Sequence, residues 1–178
     1  FSGCSQEYSG LVGRKVMVLL AGEAYANEVI VDIGSVMPVP APLSMTESAA
    51  VPEAFITAFD ALWIQSRLQY GQSICVHAAG SGVGDAARQL CIAKGHSVYG
   101  TTRSVEKAHR LTTNDSMVFH IQEGMFSSEM AQVDVILDFV GAAYFTQNLT
   151  LLKPMGHLQL VGLLGGIKTD INLATVLG

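Results

Sequence analysis

Charge is scarce in this chain: 14% of its 178 residues are Asp, Glu, Lys or Arg, against about a quarter in an average globular domain. With 49% hydrophobic residues and a mean hydropathy of +0.38, the composition excludes a disordered chain. Long apolar runs are missing too. A clean one, residues 16–22, stops at Glu23, far short of the roughly 18 residues a membrane span needs. The ten basic residues are scattered and the net charge is −5, which leaves no electrostatic footprint for nucleic acid or for an anionic membrane surface. The chain opens on Phe1, and no basic stretch leads into an apolar one, so no secretory signal is expected. Cysteine is scarce as well. Cys4, Cys75 and Cys91 make an odd total with no C-x-x-C spacing, the pattern of buried thiols in a reducing, cytoplasmic compartment.

Two chemistries are excluded by what fails to cluster. The five histidines, His77, His96, His109, His120 and His157, stand apart from one another and from the cysteines, whereas a zinc site gathers such residues compactly, so no metal is expected. No G-x-S-x-G occurs, and Gly80-Ser81-Gly82 has the wrong spacing for a nucleophile elbow. His77 precedes a glycine loop on an apolar strand and reads as a satisfied core histidine.

What is present has two textures. Up to about Pro42 the chain shows short β-like runs, K-V-M-V-L-L over 15–20 and E-V-I-V-D-I over 28–33, and then Pro38, Pro40 and Pro42 mark a boundary. Ser44-Met45-Thr46-Glu47 is a capping box, and helical spacing follows over 49–68, where Pro52 interrupts the helix or marks a fresh first turn. From Ser73 onward, strands expected over 73–79, 97–102, 117–121, 133–138 and 158–163 alternate with helices over 83–94, 104–111 and 142–152, and with a short one near 127–131. Continuous apolar strands separated by helices imply a sheet covered on both faces, a doubly wound α/β domain. The length suits one such domain with part of another attached, and a sixth strand of the usual dinucleotide fold is not found before Gly178.

The strongest motif is Cys75-Val76-His77-Ala78-Ala79-Gly80-Ser81-Gly82-Val83-Gly84, a strand running into a glycine-rich turn and a helix. Small residues let a pyrophosphate approach the backbone, and free N–H groups at the helix start favour its charge. The strict G-x-G-x-x-G form fails, because Ala79 and Ser81 occupy its first two glycine positions in register with Gly84. A ligand-free βα turn is the competing reading. The next signal is an absence. Between Asp85 and Glu106 there is no acidic residue, although an NAD site places one there to grip the ribose 2′-hydroxyl. The second strand ends instead on Thr101-Thr102-Arg103-Ser104 with Lys107 a turn later, hydroxyls and cations suited to a 2′-phosphate, or else ordinary solvated residues at a helix start. NADP(H) is favoured over NAD(H). Asp138-Phe139-Val140-Gly141 and Gly162-Leu163-Leu164-Gly165-Gly166 close later strands, where open α/β sheets bind ligands.

Together with Pro52 to Phe59, Gly71-Gln72-Ser73-Ile74 and Gln6-Glu7-Tyr8-Ser9-Gly10, these motifs resemble, in order and over essentially the whole chain, the zinc-free quinone oxidoreductases, the zeta-crystallin-like branch of the medium-chain dehydrogenase/reductase superfamily. Zinc-binding relatives carry histidine where Gln6 stands. The resemblance implies a partial GroES-like substrate domain over 1–43, a C-terminally shortened Rossmann-like dinucleotide domain over 44–178, and an NADPH-dependent reductase of quinones or related α,β-unsaturated carbonyls. It places Thr57 near the nicotinamide, and Gly80, Ser81, Gly82 and Val83 at the pyrophosphate. Around the 2′-phosphate it sets Thr102, Arg103, Ser104 and Lys107. His120 falls beside the adenosine phosphate, and Phe139, Val140, Gly162, Leu163 and Leu164 along the nicotinamide half. No catalytic residue carries over, since substrate-facing residues of relatives fall largely upstream of Phe1. A homodimer through sheet edges is a further implication. A catalytically silent nucleotide-binding or interaction protein and an enoyl reductase module of a fatty-acid or polyketide synthase are the alternatives.

Overall fold

The computed structural model describes residues 6–126 and 128–177. It divides into two compact units, Phe1–Ile56 and Thr57–Gly178.

In the first unit regular structure is sparse. A 3-10 helix spans Gln6–Leu11, and strands β1 (Val16–Met17) and β2 (Met37–Pro38) pair antiparallel, Val16 opposite Pro38. The expected strand over 15–20 thus shrinks to two residues. The run 28–33 forms no strand: Asp32 accepts from the Gly34 N–H at 2.8 Å and caps a 3-10 turn, Ile33–Ser35, instead. Helix α1 (Met45–Ala49) begins at the expected capping box, in which Ser44 Oγ accepts from the Glu47 N–H and Glu47 Oε2 from the Ser44 N–H. The single helix expected over 49–68 is three pieces. After α1 a new helix α2 (Val51–Phe59) starts with Pro52 in its first turn, and a π-helical segment follows, Asp60–Gln65.

The second unit is built on a five-stranded, all-parallel sheet: β3 (Ile74–Val76), β4 (Val98–Thr102), β5 (Ser116–His120), β6 (Val133–Asp138) and β7 (Leu152–Leu160), in the order β5-β4-β3-β6-β7. Helices α3 (Gly82–Ala93), α4 (Val105–Leu111) and α5 (Phe145–Leu151) flank it, and α6 (Leu173–Leu177) follows. Strand order reverses between β3 and β6, the switch point at which such folds open a crevice. This is the Rossmann-like α/β architecture read from the apolar strands. All three residues of β3 and five of six in β6 are buried, as a sheet covered on both faces requires.

Boundaries moved where backbone geometry overrode the apolar pattern. β3 ends at Val76 rather than residue 79 because Ala78 turns to φ +47°. β7 runs over 152–160 rather than 158–163. It meets β6 early, at Leu152, and its ladder closes when the Val161 and Gly162 N–H groups both donate to the Asp138 carbonyl. α5 starts at Phe145, not 142, because Gly141 at φ +79° turns the chain first. Residues 128–131 form a turn and loop in place of the short helix, and Ser127 lies outside the described residues.

Candidate functional site

Past β3 the chain enters the glycine turn. Ser81 leaves the turn as the N-cap of α3, its N–H donating to the Ala78 carbonyl at 2.8 Å and its Oγ accepting from the Gly84 N–H at 3.1 Å. Gly84 is obligatory: a Cβ there would collide with the Ala78 carbonyl oxygen. The turn is thereby folded tightly against the first turn of α3 and opens outward. The carboxylate nearest this helix start, Asp85, is already engaged by Arg88 at 2.8 Å and Gln89 at 2.8 Å.

One strand over, the exit of β4 is organised in the same way. Ser104 caps α4 by accepting from the Lys107 N–H at 3.1 Å, and Lys107 reaches back so that its Nζ donates to the Gly80 carbonyl at 3.0 Å. Gly80 admits that side chain, since a Cβ on it would lie 2.6 Å from Lys107 Cδ. On the other side of the switch point, Asp138 ends β6 fully buried. Its carboxylate accepts from the Val140 N–H at 2.6 Å and the Gly141 N–H at 3.1 Å, shaping the turn that carries Val140.

Between these strand ends lies a cavity of about 870 Å³. Ala78, Gly80 and Ser81 form its floor, Thr101, Thr102, Arg103, Ser104 and Lys107 one wall, and Val140, Ala143, Tyr144, Leu164 and Gly165 the facing wall. Ile121, Glu123 and Gly124 close one end. Burial raises the Tyr144 phenol above its ordinary value, with Arg103 pulling in the opposite direction.

Eight residues expected at the site line this cavity: Gly80, Ser81, Thr102, Arg103, Ser104, Lys107, Val140 and Leu164. Gly82 and Val83 open α3 directly behind Ser81. His120 is half-buried at the end of β5, one residue before Ile121. Phe139 is buried, and Gly162 packs where a Cβ would lie 2.9 Å from the Phe139 carbonyl. Leu163 lines a second cavity, of about 630 Å³, with Gly141 and Phe145. Thr57, half-buried on α2, lines neither.

His77 is the satisfied core histidine that the sequence implied, bonded to Thr101 at 2.8 Å and Asn148 at 2.7 Å. It does not stand apart from the cysteines, however: Cys75 Sγ is 4.0 Å from its Nδ1, because residues two apart on β3 point the same way. Burial pushes the Cys91 thiol up to about 12 and the Cys75 thiol higher still, and both are free. Cys4 and the Gln6-Glu7-Tyr8 side chains lie outside the described residues. Sequence reading missed Tyr144, Glu123 and Asn148. Tyr144 could have been found from its place just past the β6 exit turn, and Asn148 from standing one helical turn beyond it.

A parallel sheet with its crevice at the switch point, a glycine turn into a helix and cations at the next strand end define a Rossmann-like dinucleotide-fold domain. Residues 82–178 match the family described as zinc-binding dehydrogenase, and the chain belongs to that family, within the medium-chain dehydrogenase/reductase superfamily. It is 32% identical over 156 residues to the human synaptic vesicle membrane protein VAT-1 homolog-like, covering 85% of this chain and 37% of that one. The quinone oxidoreductase of Thermus thermophilus, solved also as a complex with NADPH, superposes with a TM-score of 0.75 at 27% identity, covering 89% of this chain and 52% of that one. The CurK enoyl reductase superposes at 0.66 and 27% identity, covering 75% and 43%. The chain spans between 6 and 37% of the length of the curated relatives it matches. Among the described residues no group of three or more His, Cys, Asp or Glu is placed to hold a metal ion. Nor is any helix among them long and apolar enough to cross a membrane.

Proposed function

We propose that this chain is the dinucleotide-binding part of an NADPH-dependent oxidoreductase that reduces quinones or related α,β-unsaturated carbonyls without a metal. The cavity at the switch point carries the reading, because its β4 wall offers two cations suited to a 2′-phosphate, and the carboxylate among its lining residues, Glu123, is not on that wall, where a ribose 2′-hydroxyl would be gripped. The residues fit the cofactor. Gly80, Ser81 and the N–H groups opening α3 would hold the pyrophosphate, a cradle that a Cβ at Gly84 would destroy. Arg103, Ser104 and Lys107 would hold the 2′-phosphate, and Val140, Tyr144 and Leu164 would border the nicotinamide and keep water from it. When bound, the cofactor supplies the hydride, and the protein's part is to orient it and to exclude solvent. Likeness to the Thermus enzyme supports NADPH and a quinone. Likeness to CurK supports an enoyl thioester as the rival substrate class.

Thermal unfolding of the chain with NADPH, with NADH and with neither tests the reading. A cofactor at about 100 times its dissociation constant adds roughly 2.7 kcal/mol, and the shift with NADPH is expected to exceed that with NADH. No shift with either would overturn the cofactor reading. NADPH oxidation driven by a quinone rather than a crotonyl thioester then separates the two substrate classes, and binding without turnover of either would leave a silent nucleotide binder.

A further inference from the structure

Behind the cavity a chain of buried side chains joins its two walls. Asp138, at the exit of β6, accepts at Oδ2 from Asn148 Nδ2 at 2.8 Å. Asn148 Oδ1 lies 2.7 Å from His77 Nε2, and His77 Nδ1 lies 2.8 Å from Oγ1 of Thr101, a lining residue at the exit of β4. All four residues are at most 1% exposed. The His77 ring is clasped by Phe126 and Tyr144, with centroids 4.9 and 5.0 Å away.

The atoms as placed give the chain one direction. Asp138 accepts from the Val140 and Gly141 N–H groups and from Asn148. Asn148 turns its NH2 to Asp138 and its oxygen to His77. That oxygen requires a proton on His77 Nε2. Burial disfavours the charged ring, so Nδ1 keeps a lone pair and the Thr101 hydroxyl donates to it.

We propose that His77 is a positioning residue of the cavity: through this one-way chain it ties Thr101 on the β4 wall to Asp138 on the Val140 wall, and so sets the distance a ligand must span between them. The inference rests on the dinucleotide reading, because a dinucleotide touches both walls whereas its adenosine half touches only the β4 side. Breaking the tie therefore weakens the spanning ligand and spares the half.

The test compares NADPH with adenosine 2′,5′-bisphosphate by calorimetry, in the wild-type chain, in His77→Phe, which keeps a ring between Phe126 and Tyr144, and in Thr101→Val, which keeps shape and removes only the last link. In either variant, NADPH affinity is expected to fall by about tenfold, the worth of about one well-made buried hydrogen bond, and in His77→Phe, which alters no lining residue, the bisphosphate is expected to bind unchanged. Nitrogen-15 spectra of the wild-type histidines, with His77 assigned by its loss in His77→Phe, should show the Nε2–H tautomer. Asp138→Asn, whose amide oxygen is held by the Val140 and Gly141 N–H groups so that its NH2 faces Asn148, should flip that amide and switch His77 to Nδ1–H. Equal losses for both ligands in His77→Phe, or an Nδ1–H tautomer in the wild type, would overturn the inference while leaving the cofactor reading in place. Failure of the wild-type chain to bind NADPH would overturn both.

Discussion

The two units make opposite use of similar sequence. Val-rich, alternating runs occur in each, yet in Phe1–Ile56 they yield one pair of two-residue strands, and among its described residues only Ser48 and Pro52 are buried. In Thr57–Gly178 comparable runs become five parallel strands whose central members are buried on both faces. A β-like run is a surface looking for partners, and it becomes a strand only where neighbours supply both a ladder and a cover. The segment 28–33 has neither among the described residues, and Ile30 is left fully exposed.

That contrast can be broken most sharply by removing the same side chain from each unit. Ile136→Ala, in the fully buried centre of β6, should cost about 2–5 kcal/mol in urea unfolding, whereas Ile30→Ala should stay within about 0.5 kcal/mol. Comparable losses at the two positions would mean that the first unit has a core of its own. Acid should draw the same line, because all five histidines lie in the second unit. Burial holds His77 below its ordinary value of 6.5, opposed by its bond to Asn148 and by the charge of Asp138. The unfolded chain then binds a proton that the folded chain refuses, so the contribution is complete above about pH 6.5 and is lost as pH falls beneath it, by about 1.4 kcal/mol per unit. Stability curves between pH 7 and 5 should show that slope in the wild type and a shallower one in His77→Phe. The smallest effect belongs to the sheet edge. Lys153 on β7 pairs with Asp134 of β6 at 2.9 Å, half in solvent, and Lys153→Met should cost about 0.5 kcal/mol, less in high salt.

How far the sequence foretold this depends on the range over which each feature is decided. The capping box at Ser44, the glycine turn and the buried runs are local, and they and the five strands of the second unit are legible, whereas the caps that Ser81 and Ser104 form were not read. Strand ends were not, because they depend on a single residue's dihedral, as at Ala78, or on a carbonyl from another strand, as where Asp138 closes β7. The cationic wall could be read from Arg103 and Lys107 because they follow one strand end. The link from Thr101 to Asn148 spans 47 positions through His77, and no spacing rule reveals it.

The bond from Lys107 to the Gly80 carbonyl has a bearing on selectivity. Its ammonium gives one of its three N–H donors to that carbonyl, and the bond holds the charged head beside the glycine turn while two donors stay available. An anion offered there would gain a full ion pair where a hydroxyl would gain only an ordinary acceptor's share. The backbone carbonyl thus does in advance the work of ordering a long side chain, a cost that a freely moving lysine would meet only when a ligand arrived.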